Sequence, residues 1–121
     1  MTVCLTRLKT RGDFLRVAAT RARAVRPGLI LQAAPQPDAD EALPRVGFTA
    51  SKRVGNAVAR NRAKRRLRAA AGSLLPSQGK VGTDYVLIAR AGTGARPYAE
   101  LLADLEGSLH QLARPRPGGE A

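Results

Sequence analysis

Arg60, Arg62, Lys64, Arg65, Arg66 and Arg68 fall within one short stretch, VARNRAKRRLRAAA at residues 58–71. Ala59, Ala63, Leu67 and Ala70 are set between them. A guanidinium is planar and donates parallel hydrogen bonds, so it matches the oxygens of a phosphate. The chemistry open to such a cluster is the binding of polyanions. On a wheel of about 100° per residue, Lys64, Arg68, Asn61 and Arg65 lie within roughly 140° of Arg60. Ala63, Leu67, Ala70 and Leu74 gather on the other side, with Arg62 and Arg66 on the flank. This pattern predicts a helix with a small-residue seam laid on a sheet and a basic face turned outward. No acid stands between Glu41 and Asp84, so no carboxylate nearby in sequence can pair with that face. Like charges one helical turn apart cost about a few tenths of a kcal/mol each. A phosphate backbone turns that repulsion into attraction by releasing counterions.

Two plainer readings compete. A solvated charged face is the usual fate of a charge run, but such faces mix signs and this one does not. A membrane-surface helix needs bulky apolar residues opposite its cations, and here the seam is mostly Ala. Protein-based catalysis finds little support. His110 lies among leucines, Asp38, Asp40 and Glu41 fall in a loop, and Asp104 and Glu106 point apart on a helix. No metal cage, base or nucleophile triad is legible in this set, so neither catalytic nor metal-binding residues are assigned to the chain.

The composition agrees with a polyanionic partner. The chain of 121 residues carries 21 Lys and Arg, mostly Arg, against 9 Asp and Glu, a net charge of +12. That length has room for one domain with a modest core, built on Ala, Val and Leu without Trp. Nucleic acid is the first candidate partner and an anionic membrane surface the second. The lone Cys4 excludes an intrachain disulfide. No signal-like or membrane-spanning apolar run is present, so a cytoplasmic protein is expected.

The elements that must hold the basic helix can be read from pattern. TRGDFLRVAAT predicts a first helix, with Thr10 and Asp13 as a capping box and Phe14, Val17 and Ala18 on one face. RPGLILQAAP predicts a strand ending at Pro35, with room for a further strand within 21–34. PQPDADEALP reads as an exposed loop, and RVGFTAS as a half-buried strand with Val46, Phe48 and Ala50 on one side. After the basic helix, PSQGKVGT reads as a turn-rich connector and DYVLIARA as an apolar strand. RPYAELLADLEGSLHQLA, with Pro97 near its first turn, predicts a last amphipathic helix. Residues 114–121 are expected to form a flexible tail after a domain spanning 1–113. The order α-β-β-α-β-α makes the basic helix the crossover of a βαβ unit in a single α+β domain with one mixed central sheet.

From Arg45 the chain reads RVGFTASKRVGNAVARNRAKRRLR, and this stretch closely resembles the protein subunit of bacterial ribonuclease P. That family's signature is a strand followed by S-K-K/R-x-G-N/K-A-V-x-R-N-R-x-K-R-x-x-R. Ser51, Lys52, Arg53, Gly55, Asn56, Ala57, Val58, Arg60, Asn61, Arg62, Lys64, Arg65 and Arg68 stand where the pattern wants them. LKTRGDFLRV and DYVLIAR resemble the family's first helix and last core strand, so the likeness extends to about Leu112. The resemblance implies a ribosomal-protein-S5-domain-2-like fold with a left-handed crossover. It also implies a ribonucleoprotein in which a catalytic RNA removes the 5′ leader of precursor tRNA. Magnesium would be required by the RNA–protein holoenzyme, with no cofactor bound by the protein alone and no protein partner implied. Asn56, Arg60, Asn61, Arg62, Lys64, Arg65 and Arg68 would face the catalytic RNA. Phe14, Lys52, Arg53 and Arg90 would border a cleft for the single-stranded leader. Phe14 reads equally as a core residue, and Lys52, Arg53 and Arg90 as strand-end surface charges. Ala18 and Gln32 stand where family members often carry leader-stacking aromatics, so cations and shape should matter more here. A structural RNA-binding module such as a ribosomal protein is the alternative. A DNA-binding helix-turn-helix ranks third, because strands flank the basic helix on both sides.

Overall fold

The computed structural model describes residues 6–8, 10–20, 22–36, 44–79 and 82–113. Strand β1 (Thr6–Arg7) precedes helix α1 (Arg11–Ala19), and strands β2 (Arg23–Val25), β3 (Leu29–Pro35) and β4 (Arg45–Thr49) follow. A 3₁₀ turn (Lys52–Val54) leads into helix α2 (Ala57–Gln78), then strand β5 (Thr83–Ala89) and helix α3 (Tyr98–Ala113). The five strands form one sheet in the order β1-β4-β5-β3-β2. β5 pairs parallel with β4 and antiparallel with β3, so the sheet is mixed and α2 is the crossover between parallel neighbours.

The central place of β5 explains its unbroken apolar run. Tyr85, Leu87 and Ala89 join Leu29, Leu31 and Val46 in the larger core, under Ala63, Leu67, Ala70, Ala71 and Leu75 of α2 and Leu101, Leu105 and Leu109 of α3. Val86 on the opposite face packs with Leu8, Val17 and Ala34, and Phe14 and Ile88 flank this second core. A strand covered on both faces has no solvent side to mark with polar residues. α1 therefore covers one face of the sheet, while α2 and α3 share the other.

Thr10 caps α1 as expected: its Oγ1 accepts from the Asp13 N–H at 3.1 Å and donates to Asp13 Oδ2 at 2.9 Å. Of the face proposed for this helix, Val17 is buried and Phe14 half-buried, but Ala18 is exposed. The strand left open within 21–34 is β2, a short edge strand, and β1 is an element that sequence pattern missed. Two residues are too few to show an alternation. Nor does α2 stop at the expected connector: it runs through Pro76 to Gln78. A proline near the last turn removes the donor to one carbonyl, here that of Gly72, which is exposed. The buried stripe of α2 also continues through Ala71 and Leu75, while Leu74 is only half-buried. Contacts from Arg66 to the Gly94 and Arg96 carbonyls and from Gln78 to Glu106 show why. α3 runs alongside the C-terminal half of α2 and covers that flank. The expected tail at 114–121 and most of the loop between Pro35 and Pro44 lie outside the described residues.

Candidate nucleic-acid interface

The motif SKRVGN builds the entry to α2. Ser51 accepts from the Arg53 N–H at 3.3 Å to start the 3₁₀ turn, and Asn56 Oδ1 accepts from the Ala59 N–H at 2.9 Å to cap the helix. Between the two caps, Gly55 adopts φ +142°, a conformation that L side chains rarely take. This turn leads directly from the end of β4 into the first half of α2. Asn61, Arg62, Arg65 and Arg68 are exposed there, and Arg60 and Lys64 half-buried. All the residues expected to face RNA therefore lie on one helix or at its cap, although Asn56 also has a structural duty.

Among the described residues the ion pairs use Arg16, Arg45 and Arg96, and no cation of α2 takes part in one. Instead, the flank is held by neutral partners. Arg62 Nε donates to the Gly94 carbonyl at 3.2 Å, and Arg66 donates to the Gly94 carbonyl at 3.0 Å and to that of Arg96. The Arg68 guanidinium lies 5.7 Å from the centre of the Phe48 ring, within cation–π reach. Carbonyls and rings orient a guanidinium without cancelling its charge. The helix thus presents a pre-set positive surface.

The second group of residues is more dispersed. β4 and β5 run parallel with Thr49 beside Ile88, so Lys52, Arg53 and Arg90 all follow strand ends on one side of the sheet. All three are exposed. Arg90 Nη1 donates to the Arg26 carbonyl at 2.8 Å, which ties it to the turn before β3. Phe14 lies further back on the α1 face, its ring over Gly47, where an added Cβ would come within 2.5 Å of it. Both readings of Phe14 find a footing, since it packs against the smaller core but is only half-buried. Gln32 is half-buried on the strand next to β5, and Ala18 is exposed on α1.

Residues that sequence reasoning passed over hold this frame. Asp84 is fully buried at the start of β5, and its carboxylate receives Arg45 Nε at 2.8 Å, Arg45 Nη2 at 2.7 Å and Arg16 Nη2. Burial opposes ionisation of this carboxyl, but the hydrogen bonds and charges of Arg45 and Arg16 outweigh it and hold its pKa below the ordinary value. The cluster ties α1 to β4 and β5, and so fixes where Phe14 sits. An acid opening an apolar strand was the available signal; its partners are set by the register Arg45↔Asp84. Among the described residues no group of three His, Cys, Asp and Glu could hold a metal ion, and no helix is long and apolar enough to cross a membrane.

Comparison with known proteins agrees with this frame. The sequence profile of the family described as Ribonuclease P matches residues 5–113. The ribonuclease P protein component of Paramagnetospirillum magneticum is 53% identical over 115 residues, covering 93% of this chain and 86% of the relative. That of Ruegeria pomeroyi is 54% identical over 112 residues, covering 91% and 88%. Solved structures share the fold. The RNase P protein of Staphylococcus aureus superposes with a TM-score of 0.73 at 24% identity, covering 91% of this chain and 97% of its own. That of Thermotoga maritima does so with 0.71 at 21% identity, covering 92% and 98%. With a profile spanning nearly all the described residues and relatives above half identity, the chain belongs to the ribonuclease P protein family.

Proposed function

We propose that this chain is the protein component of a ribonuclease P ribonucleoprotein, binding the catalytic RNA and the 5′ leader of precursor tRNA during endonucleolytic maturation of the tRNA 5′ end. The observation that carries the reading is the basic face of α2, paired with no carboxylate among the described residues, with Arg62, Arg66 and Arg68 oriented by neutral partners. Arg60, Asn61, Arg62, Lys64, Arg65 and Arg68, with Asn56 at the cap, contact the catalytic RNA. Phe14, Lys52, Arg53 and Arg90 border the leader, with Phe14 offering a ring face and the cations offering charge to its phosphates. The RNA supplies the catalytic groups. Magnesium belongs to the RNA–protein complex: the carboxylates Asp84 and Asp104 are already engaged by arginines, and a basic face repels a dication.

Charge explains how such a protein assists. Bringing two polyanions together costs repulsion, and a chain of net charge +12 lying between them offsets part of it. The test is cleavage of precursor tRNA by the cognate RNA across a magnesium titration, with and without the protein. The protein should shift the midpoint to lower magnesium and should cut nothing by itself. An unchanged midpoint would remove the assisting role, and cleavage by RNA-free protein would overturn the assignment of chemistry to RNA.

A further inference from the structure

Beside the basic face, α2 and the turn leading into α3 line an open surface cavity of about 590 Å³, within the range of about 300–1,000 Å³ typical of ligand sites. Its walls are unusual in combination. Arg62, Arg65 and Arg66 come from α2, Arg96, Pro97 and Tyr98 from the opposite side. The acids nearest the rim are occupied, because Asp104 and Glu100 both pair with Arg96. Among the described residues Arg62, Arg65 and Arg66 have no carboxylate partner, and Arg66 Nε is buried with no acceptor, a state that folded proteins seldom leave unanswered. Tyr98 is 42% exposed, a large aromatic with one side in solvent.

Guanidinium groups answer a phosphate, and a tyrosine beside a proline answers the flat face of a base. We propose that this cavity is a nucleotide subsite that takes one unpaired nucleotide of the RNA lying along α2, its base on Tyr98 and its phosphate between Arg62 and Arg65. The proposal rests on the RNA-binding reading above. Continuity favours RNA over a free nucleotide, since Arg62 and Arg65 belong both to the cavity and to the outward basic face. The nucleotide must be unpaired, because a base inside a duplex has no free face to stack.

The test uses the full chain reconstituted with its cognate catalytic RNA, as wild type, Tyr98→Phe and Tyr98→Ala, with folding checked by circular dichroism. Base accessibility is read with dimethyl sulfate and a carbodiimide. Wild type and Tyr98→Phe should protect one unpaired base that Tyr98→Ala leaves reactive, while the remaining protections persist in all three. Affinity for the RNA should fall about 5- to 100-fold for Tyr98→Ala and stay within about twofold for Tyr98→Phe, as expected for loss of one base–aromatic stack. Identical protections and affinities for wild type and Tyr98→Ala would overturn the subsite while leaving RNA binding by α2 intact. No protection by the wild type at all would overturn the RNA-binding reading itself. Calorimetric titration of the protein alone with ADP forms the last arm. Saturable ADP binding abolished by Tyr98→Ala, without any Tyr98-dependent protection of the RNA, would assign the cavity to a free nucleotide and overturn the proposal.

Discussion

Arg16 and Arg45 close on the buried carboxylate of Asp84, whereas Arg62 and Arg66 of α2 donate to main-chain carbonyls and Arg68 lies over an aromatic ring. The same side chain therefore does opposite work in the two regions. At Asp84 the guanidinium charge is consumed within the fold, joining α1 to the β4–β5 pair. On α2 the guanidinium groups are oriented but their charge is left for an outside partner. What separates the regions is the partner's charge rather than the arginine's exposure: Arg16 and Arg45 side chains are each 30% exposed, and Arg66 is half-buried too. A neutral acceptor positions a cation without neutralising it, and that distinction marks the proposed binding surface.

The contrast can be broken from either side. The largest loss of stability is expected from the seam beneath the basic face: Leu67 is fully buried, and Leu67→Ala should lower unfolding free energy by about 2–5 kcal/mol, measured by urea denaturation. Asp84→Asn follows at about 2–4 kcal/mol, below the full cost of breaking a buried pair because both arginines keep some solvent. Because the Asp84 carboxyl titrates below its unfolded value, its contribution is complete above that value, near pH 4, and is lost as the pH falls through the lower folded value. Wild type should therefore lose more stability than Asp84→Asn between pH 5 and pH 2, in paired denaturation curves.

Arg65→Glu sits at the other extreme. Its melting temperature should stay within about 3 °C of wild type, because an exposed residue without a protein partner changes, while affinity for the cognate RNA drops. A large fall in melting temperature would mean that Arg65 belongs with Arg16 and Arg45. Arg90→Ala removes one hydrogen bond, to the Arg26 carbonyl, and is expected to have the smallest effect on binding of the catalytic RNA. It should weaken holoenzyme binding of precursor tRNA and leave mature tRNA, which lacks a leader, unchanged. Equal losses for both would place Arg90 in folding or assembly. For the wild type, RNA affinity should fall with salt, log K against log salt sloping by about −0.7 to −0.9 per phosphate neutralised. A flat titration would erase the distinction between the two regions.

Much of the candidate interface was legible because it is local. The capping box at Thr10 and Asp13 and the face carrying Arg60, Lys64 and Arg68 depend on residues within a turn or two of one another. The amphipathic helices, the β4 alternation and the apolar run of β5 are likewise encoded by periodicity. Sequence alone thus determined one domain, a basic helix between strands and the chemistry of a phosphate binder. Tertiary structure decided the rest. Only strand register brought Arg45 to Asp84, and only the packing of α1 across the sheet added Arg16, so the acid that opens β5 was legible while its partners were not. The path of α3 along the second half of α2 carried the helix past Pro76, since burial of Leu75 and the Gln78–Glu106 contact outweigh one missing hydrogen bond. The same docking brought Tyr98 and Arg96 opposite Arg62 and Arg65. A cavity between distant segments exists only once their helices pack, because no spacing in a linear chain specifies the distance between two of its surfaces.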